Sequence, residues 1–495
     1  MPIDSKHREY EDAKNWWMRC RDVVDGEDAV KAKNIRYLPM LGGQNSGEYT
    51  AYKTRALFFG ATSRTVQGLL GAVFRKDYTL EYPESKKDVL KDITEESSNI
   101  DVLLRNTVRE VLEVGRLGLL VDVTEDGESS RAYIAQYTAE NIINWSTQRI
   151  NGESTLVMVA LQELYDDPNV DGHDAFSPKE KTQIRLLQLV PAKTGTAYQY
   201  KQDVFRKSDD NDKWMRVEDM TVFPTRAGVP LDFIPFKFIN ADNDETEINK
   251  PPLLDMVDVN LSHYRTSADL EHGAHFTALP TAVLSGFDPK KTYKIGSGTA
   301  WVTSNPQARA QFLEYTGQGL GALRELKKDK EGMMAVLGAR FLEESKRAVE
   351  AAETHRLRSS ADSGTLEAIT GTIDEAVTTI LQWHAEWMAM SPQAVKGIQL
   401  VLNKDFVSTR LGAADIIALM KARQAGELSQ DSFLHNLKEG EILPDGRTIE
   451  QEKDLIEVDG NDQGDITQGA GMTPLKRQFE LVRDQDGKAT GIKEA

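Results

Sequence analysis

Three histidines, His263, His272 and His275, stand close together, and the last two share a helix face with Glu271 beside them. Imidazoles and a carboxylate at such spacing are zinc-ligand chemistry. The HExxH pattern is absent and no further ligand follows at a metal-binding interval, so packed or solvated histidines are expected instead. Asp242, Asp244 and Glu247 could collect a cation but lack the glycine that turns a calcium loop. Asp459, Asn461 and Gly464 imitate the opening of such a loop, whose last position falls on Ala470 where a bidentate Glu is required. Gly317-Gln318-Gly319-Leu320-Gly321 has dinucleotide-like glycines, yet no strand-like run precedes it and the third glycine comes too early, which leaves a helix junction. There is no Walker A motif, so Asp122, after the apolar run Leu117–Val121, reads as a strand-ending turn residue. Nor is there a G-x-S-x-G elbow. The expectation is a chain that is not an enzyme, with no catalytic residue, no metal and no cofactor.

The charged residues invite a different chemistry. Lys327, Lys328 and Lys330 form one basic cluster. Arg340, Lys346, Arg347, Arg356 and Arg358 form a looser one amid Glu343, Glu344, Glu350 and Glu353. Such mixed charge suits a solvated helix face with i, i+4 pairs, and transient phosphate contact is the alternative. Across 495 residues, 60 Lys and Arg face 78 Asp and Glu, a formal charge of −18. That balance excludes gripping nucleic acid by broad phosphate neutralisation. Cys20 is the single cysteine, so no intrachain disulfide forms and a reducing compartment is expected. Met1–Lys6 lacks the apolar core of a signal peptide, and apolar runs such as Leu156–Leu161 are strand-length; neither export by that route nor a membrane span is expected.

The elements that must position these residues follow from periodicity. Tyr52, Ala56, Phe59, Ser63, Val66, Leu70 and Val73 step by four and three, which predicts one helix face. A helix is predicted from about Asn99 to Val114, ended by Gly115 and followed by a strand. Short β-like runs follow, Thr155–Leu161, Ile184–Val190, Ala197–Tyr200 and Phe233–Ile239. Pro251-Pro252 opens a helix in which Leu254, Val257, Leu261, Tyr264 and Ala268 form an apolar stripe. One position round, Asp255, Asp258, Ser262, Arg265 and Asp269 form a mainly acidic one. Strands are predicted at Thr281–Leu284 and Ala300–Thr303, then helix from about Gln307 to Met390 with a joint at Ser363-Gly364. Its most regular part, Leu366, Ile369, Ile373, Ala376, Ile380, Trp383 and Trp387, suits packing on another helix. Small helices stopped by Gly426 and Gly440, one capped by Ser429, precede a polar tail, expected to be mobile, beyond about Glu457.

Four stretches, Tyr52–Lys76, Glu113–Asp122, Pro251–Gly286 and Gly426–Pro444, resemble in composition and order the portal proteins of tailed double-stranded DNA bacteriophages, in particular a portal-like group described as a domain of unknown function. The resemblance implies an α+β, helix-rich portal fold of wing, stem, clip and crown. It implies a ring, usually dodecameric, at one capsid vertex of the virion, assembled in the host cytoplasm, through which DNA is packaged and ejected. Residues 1–140 would be an N-terminal helical wing part, 141–250 a β-rich clip, 251–276 a stem helix, 277–400 wing with tunnel loop and long helix, 401–456 crown-like helices, and 457–495 a polar tail.

Implied partners are identical subunits, the major capsid protein, the terminase large subunit, the head–tail adaptor and a scaffolding protein. Contact with double-stranded DNA would be transient and without sequence specificity, and no membrane is involved. The stripe Leu254, Val257, Leu261, Tyr264, Ala268 would pack on a neighbouring subunit. Asp255, Asp258, Ser262, Arg265 and Asp269 would line the channel, and Lys346 and Arg347 would reach phosphates from the tunnel loop. An acidic wall lets DNA slide, because each tightly neutralised phosphate would add a counterion-release gain that resists movement. A head-completion or adaptor protein is the alternative, and a packaging-enzyme subunit a further one, against which the missing Walker A argues.

Overall fold

The N-terminal helices are α1 (Arg8–Asp25), α2 (Glu27–Ala32), α3 (Ser46–Arg55) and α4 (Ala61–Val73). The computed structural model describes residues 2–494 apart from 127–128, 168–175, 177, 193–197, 209–211, 227, 279–280, 295–299, 314–317, 339–351, 407–412, 441, 444–446, 467–478 and 484–488. The single face predicted from Tyr52 to Val73 is divided between α3 and α4, because the chain leaves the helix at Ala56–Gly60. The backbone groups released there are taken by one buried side chain far along the sequence. Asn260 Nδ2 donates to the Phe59 carbonyl at 2.8 Å, and its Oδ1 accepts from the Thr62 N–H and hydroxyl at 3.2 and 3.0 Å. A buried amide that satisfies three groups makes the break tolerable.

A short strand β1 (Thr79–Glu81) leads to α5 (Ile100–Val114), which ends at Gly115 as predicted. Asn99 accepts from the Val102 N–H at 3.0 Å, and Gly115 ends the helix at φ 77°, where a side chain would be strained and would approach the Pro251 backbone. The chain then forms β2 (Arg116–Asp126) and β3 (Ser129–Thr138). A five-stranded antiparallel meander follows in sequence order: β4 (Ile142–Ile150), β5 (Glu153–Asp166), β6 (Glu180–Pro191), β7 (Tyr198–Lys207) and β8 (Trp214–Arg216). The two-residue strands β9 (Thr225–Arg226) and β10 (Val229–Pro230) precede β11 (Phe236–Asn240), which returns to pair with β2. Gly118 on β2 lies under Phe236; a Cβ there would sit 2.2 Å from the ring. Gly118→Ala is therefore expected to cost about 1–3 kcal/mol by overpacking, readable in denaturant unfolding.

Next come α6 (Leu254–Ala278), the antiparallel ribbon β12 (Thr281–Ser285) with β13 (Arg309–Leu313), then α7 (Gln318–Val336), α8 (Ala352–Trp387), α9 (Pro392–Lys396) and β14 (Gln399–Val401), which pairs with β1. Two expectations are corrected here. The second strand of this region is 309–313, not 300–303, and helix begins at Gln318 and not near Gln307. α8 also runs through Ser363-Gly364 without a break; one helical glycine costs only about 1 kcal/mol, less than the packing of the stripe beyond it.

That stripe is buried from Leu366 to Ile380 and half-buried at Trp383 and Trp387, but its neighbours are the sheet β11-β2-β3 and β14 as well as α5, not another helix alone. A different core joins Trp17 and Tyr52 to Trp145, Val159, Leu187 and Tyr200 and to the α6 stripe. The stretch 141–250 is β-rich as read, yet it shares this core and is not separately cored. With helix at 47% and strand at 23% the architecture is mixed α+β and helix-rich.

Residues Met1–Phe406 form one compact unit and Val407–Ala495 another. The second holds α10 (Ala413–Gln424), α11 (Gln430–Glu439), α12 (Ile449–Ile466), β15 (Phe479–Arg483) and β16 (Ala489–Glu494). Ser429 caps α11 by accepting from the Ser432 N–H at 3.1 Å. The polar tail is not uniformly without regular structure: α12 runs on to Ile466 and β15 pairs with β16. Asp459, Asn461 and Gly464 thus lie within a helix, not a calcium loop.

Candidate functional site

Pro251 starts α6, its carbonyl accepting from the Leu254 N–H at 3.1 Å. The helix is then covered on most of its circumference. Leu254, Val257, Leu261, Tyr264 and Ala268 are all buried in the chain's own core, against α1 and α3. This corrects the expectation that they face a neighbouring subunit: an intrachain partner already occupies them. Asn260 ties a second side to α4, and Met256 packs with Ala61 and Met334. A third side meets α7, where His263 Nε2 lies 3.1 Å from Glu331 Oε1 and Lys330 Nζ donates to the Ser262 carbonyl and the Thr266 hydroxyl at 3.2 and 2.5 Å. Burial, with Arg265 nearby, lowers the Lys330 ammonium.

As far as Asp269, what remains in solvent is one narrow strip; beyond it Glu271, His275 and Phe276 are exposed as well. Asp255, Asp258, Arg265 and Asp269 are exposed and Ser262 is half-buried. The periodicity that defined this stripe in sequence therefore coincides with the wet side of the helix. Its charge is tempered by neighbours. Asp258 pairs with Arg19 at 2.7 Å, and Asp269 accepts from the Tyr52 hydroxyl at 2.6 Å. Burial first, then Asp269, pushes the Tyr52 phenol up. Such an acidic strip can repel phosphate but cannot hold it.

Lys346 and Arg347 lie outside the described residues. Of the other lysines, Lys328 is exposed, Lys327 half-buried and Lys330 turned to α6. His263 is engaged apart from His272 and His275, which both pack on Phe276. His263 meets α7, His272 Nδ1 lies 3.2 Å from Arg55, and His275 packs edge-on to Phe276. Asp242 accepts from Asn249 at 3.2 Å and Asp244 pairs with Lys237. Among the described residues no group of His, Cys, Asp or Glu is placed to hold a metal ion, and no helix is long and apolar enough to cross a membrane. Burial pushes the Cys20 thiol up to about 12, which leaves it protonated and unreactive at neutral pH.

The polar residues that sequence reading missed lie between the sheets. β2 continues to Asp126, so Asp122 is not a turn residue but a buried carboxylate. It accepts from Arg185 Nη1 at 2.9 Å and Gln202 Nε2 at 3.1 Å, while Arg185 Nε donates to Glu163 at 2.7 Å. Arg116 is wholly buried between the rings of Trp145 and Phe238, 4.7 and 4.4 Å away, and burial pushes its guanidinium down to about 9. No local signal marks either, because the Arg185 that pairs with Asp122 and the Asn240 that accepts from Arg116 are more than sixty residues away.

A family model described as a domain of unknown function, DUF4055, matches residues 252–388, from the start of α6 to the end of α8. No match was found among the curated proteins. Among solved structures the chain is similar to a component of "Virion of native gene transfer agent (GTA) particle", at 11% identity over 82% of this chain and 96% of that one, with a TM-score of 0.39. A chain of "Neck of empty GTA particle computed with C6 symmetry" gives 12% identity, 82% and 95% coverage and 0.39. A chain of "Neck of native GTA particle computed with C12 symmetry" gives 12%, 78%, 91% and 0.37.

Proposed function

We propose that the chain is one subunit of a portal-like ring, a conduit at a capsid vertex through which double-stranded DNA enters and leaves a phage-type particle. The observation that carries this reading is α6: as far as Asp269 its exposed residues are those of one strip, the five-residue set with three aspartates. Two of the other stretches that resemble portal proteins, Tyr52–Lys76 and Glu113–Asp122, also meet the Pro251–Gly286 stretch. Tyr52 bonds Asp269, Thr62 bonds Asn260, and Gly115 lies against Pro251. In this reading the strip faces the lumen and keeps DNA sliding, and the virion vertex, the terminase, the adaptor and the capsid protein are the settings and partners to test.

The clip-like part is reassigned. Residues 141–250 are built into the core, whereas none of the described residues from 282 to 311 is buried, and this segment is carried between α6 and α7. We place the motor- and adaptor-facing end there.

Particle mass and imaging test the ring: multiples of 55.3 kDa with ring images are expected, and a sample that stays at monomer mass at every concentration favours a head-completion or adaptor protein. Asp255→Lys leaves the Arg19–Asp258 pair intact. Rings should form normally while DNA packaging falls, because each copy then adds a phosphate-binding cation to the wall. Unchanged packaging would remove the lumen assignment.

A further inference from the structure

α7 is covered on one side only. Lys330, Glu331 and Met334 meet α6, and Met334 is its one buried residue among those described. On another side Ala322, Leu326, Asp329, Met333 and Val336 step by four and three, and all are exposed; Leu326, Met333 and Val336 expose 45, 52 and 60% of their surface. An apolar helical stripe of this period is what packs against a partner. None of the described residues of the first unit covers it.

A second apolar surface lies at the same level of the molecule. In the turn between α3 and α4, Leu57 and Phe59 are 52 and 37% exposed, and the exposed Arg64 guanidinium lies 5.7 Å over the Phe59 ring. Phe59 is held at a fixed height along α6. Its carbonyl accepts from Asn260, and its ring is 5.6 Å from that of His263, which in turn bonds Glu331 of α7. Met333 and Asp329 are two residues from Glu331 on either side. The chain thus presents, at one level, an apolar stripe with an acid in it and an apolar patch with a base beside it. Two unlike, complementary surfaces are what a head-to-tail contact requires, and sharing one level lets a pure rotation close it into a ring.

We propose that the α7 stripe of one copy packs on the Leu57, Phe59 and Arg64 patch of the next, with Asp329 pairing with Arg64 across the contact. This rests on the ring reading above. Met333→Arg places a charge in the middle of the apolar contact and should shift the particle from ring mass towards 55.3 kDa by light scattering. Asp329→Arg and Arg64→Asp should each weaken assembly at least about tenfold, and the double exchange should restore it, since a reversed pair recovers the attraction that either single change turns into repulsion. All three sites are exposed, so the far-ultraviolet circular dichroism of the variants should match the parent. If Met333→Arg disturbs that signal, the charge exchange alone decides. Rings that form as well as the parent's with Asp329→Arg, or a double exchange no better than the single changes, would overturn the contact while leaving the ring. A parent chain that never exceeds monomer mass overturns the ring itself.

Discussion

Replacing Arg185 by Leu is expected to remove about 3–5 kcal/mol of folding stability, because it leaves buried carboxylates without their cation. The guanidinium bonds Glu163 on β5 at 2.7 Å and Asp122 on β2 at 2.9 Å, and so ties the five-stranded sheet to the three-stranded one. Gln183 and Tyr137 also donate to Glu163, at 2.8 and 2.6 Å, and Gln202 donates to Asp122, so each carboxylate is fully provided for while Arg185 is present. Burial already pushes the Asp122 carboxyl up although Arg185 opposes it, and the nearby Glu95 carboxyl is raised by burial too. Without the guanidinium, low dielectric and mutual repulsion act together.

The sign of the pH effect follows. In the variant the Asp122 carboxyl, already raised by burial and now without Arg185, titrates above its unfolded value, so the penalty is full at neutral pH and is relieved as pH falls through the raised pKa. Urea unfolding at pH 7 and pH 5 should show a deficit that shrinks at the lower pH. Arg185→Lys should lie between, since a single ammonium cannot make the forked contact. Adding Asp122→Asn and Glu163→Gln to Arg185→Leu should recover much of the loss, as neutral replacement of a whole buried network is often tolerated. A loss below about 1 kcal/mol for Arg185→Leu would make the network a surface-like ion pair and refute this account.

This network also marks the limit of what the sequence discloses. Asn99, Gly115 and Pro251-Pro252 act through neighbours within a few residues, and those helix ends fell where the residues put them. The two stripes of α6 were legible for the same reason: helical period alone separates Leu254, Val257 and Leu261 from Asp255, Asp258 and Ser262. What covers a stripe is a long-range fact. The apolar stripe read as a subunit contact is filled by α1 and α3, and the helix break at Ala56–Gly60 depends on Asn260, some two hundred residues on. Asp122 followed an apolar run and so resembled a strand end. Only the arrival of Arg185 and Gln202 from other strands makes a charged residue stable inside one.

The second large effect should come from α8, which buries two titratable groups of opposite tendency. His384 Nε2 donates to the Ala132 carbonyl at 3.0 Å, and burial pushes the imidazole down to about 4, with Arg131 adding in the same direction. Asp374 accepts from the Leu402 N–H at 2.7 Å and stands 3.7 Å from Lys404, yet burial pushes it up to about 6. For His384 the unfolded state binds the proton first, so its stabilisation is complete above about pH 6.5 and about 3 kcal/mol is lost as pH falls to 4. For Asp374 the folded state binds the proton first, so about 3 kcal/mol is gained as pH falls from 6 to about 3.8. Between pH 6 and 4 the two nearly cancel in the parent chain. Single changes should uncover them. Asp374→Asn keeps the acceptor for Leu402 and removes the gain, so that variant should lose stability steeply on acidification. His384→Gln keeps a donor for Ala132 and removes the loss, so that variant should hold or gain stability over the same range. The two stability curves, measured by urea unfolding from pH 7 to 4, should cross and diverge. Parallel curves would mean that neither group is buried in the protonation state assigned to it.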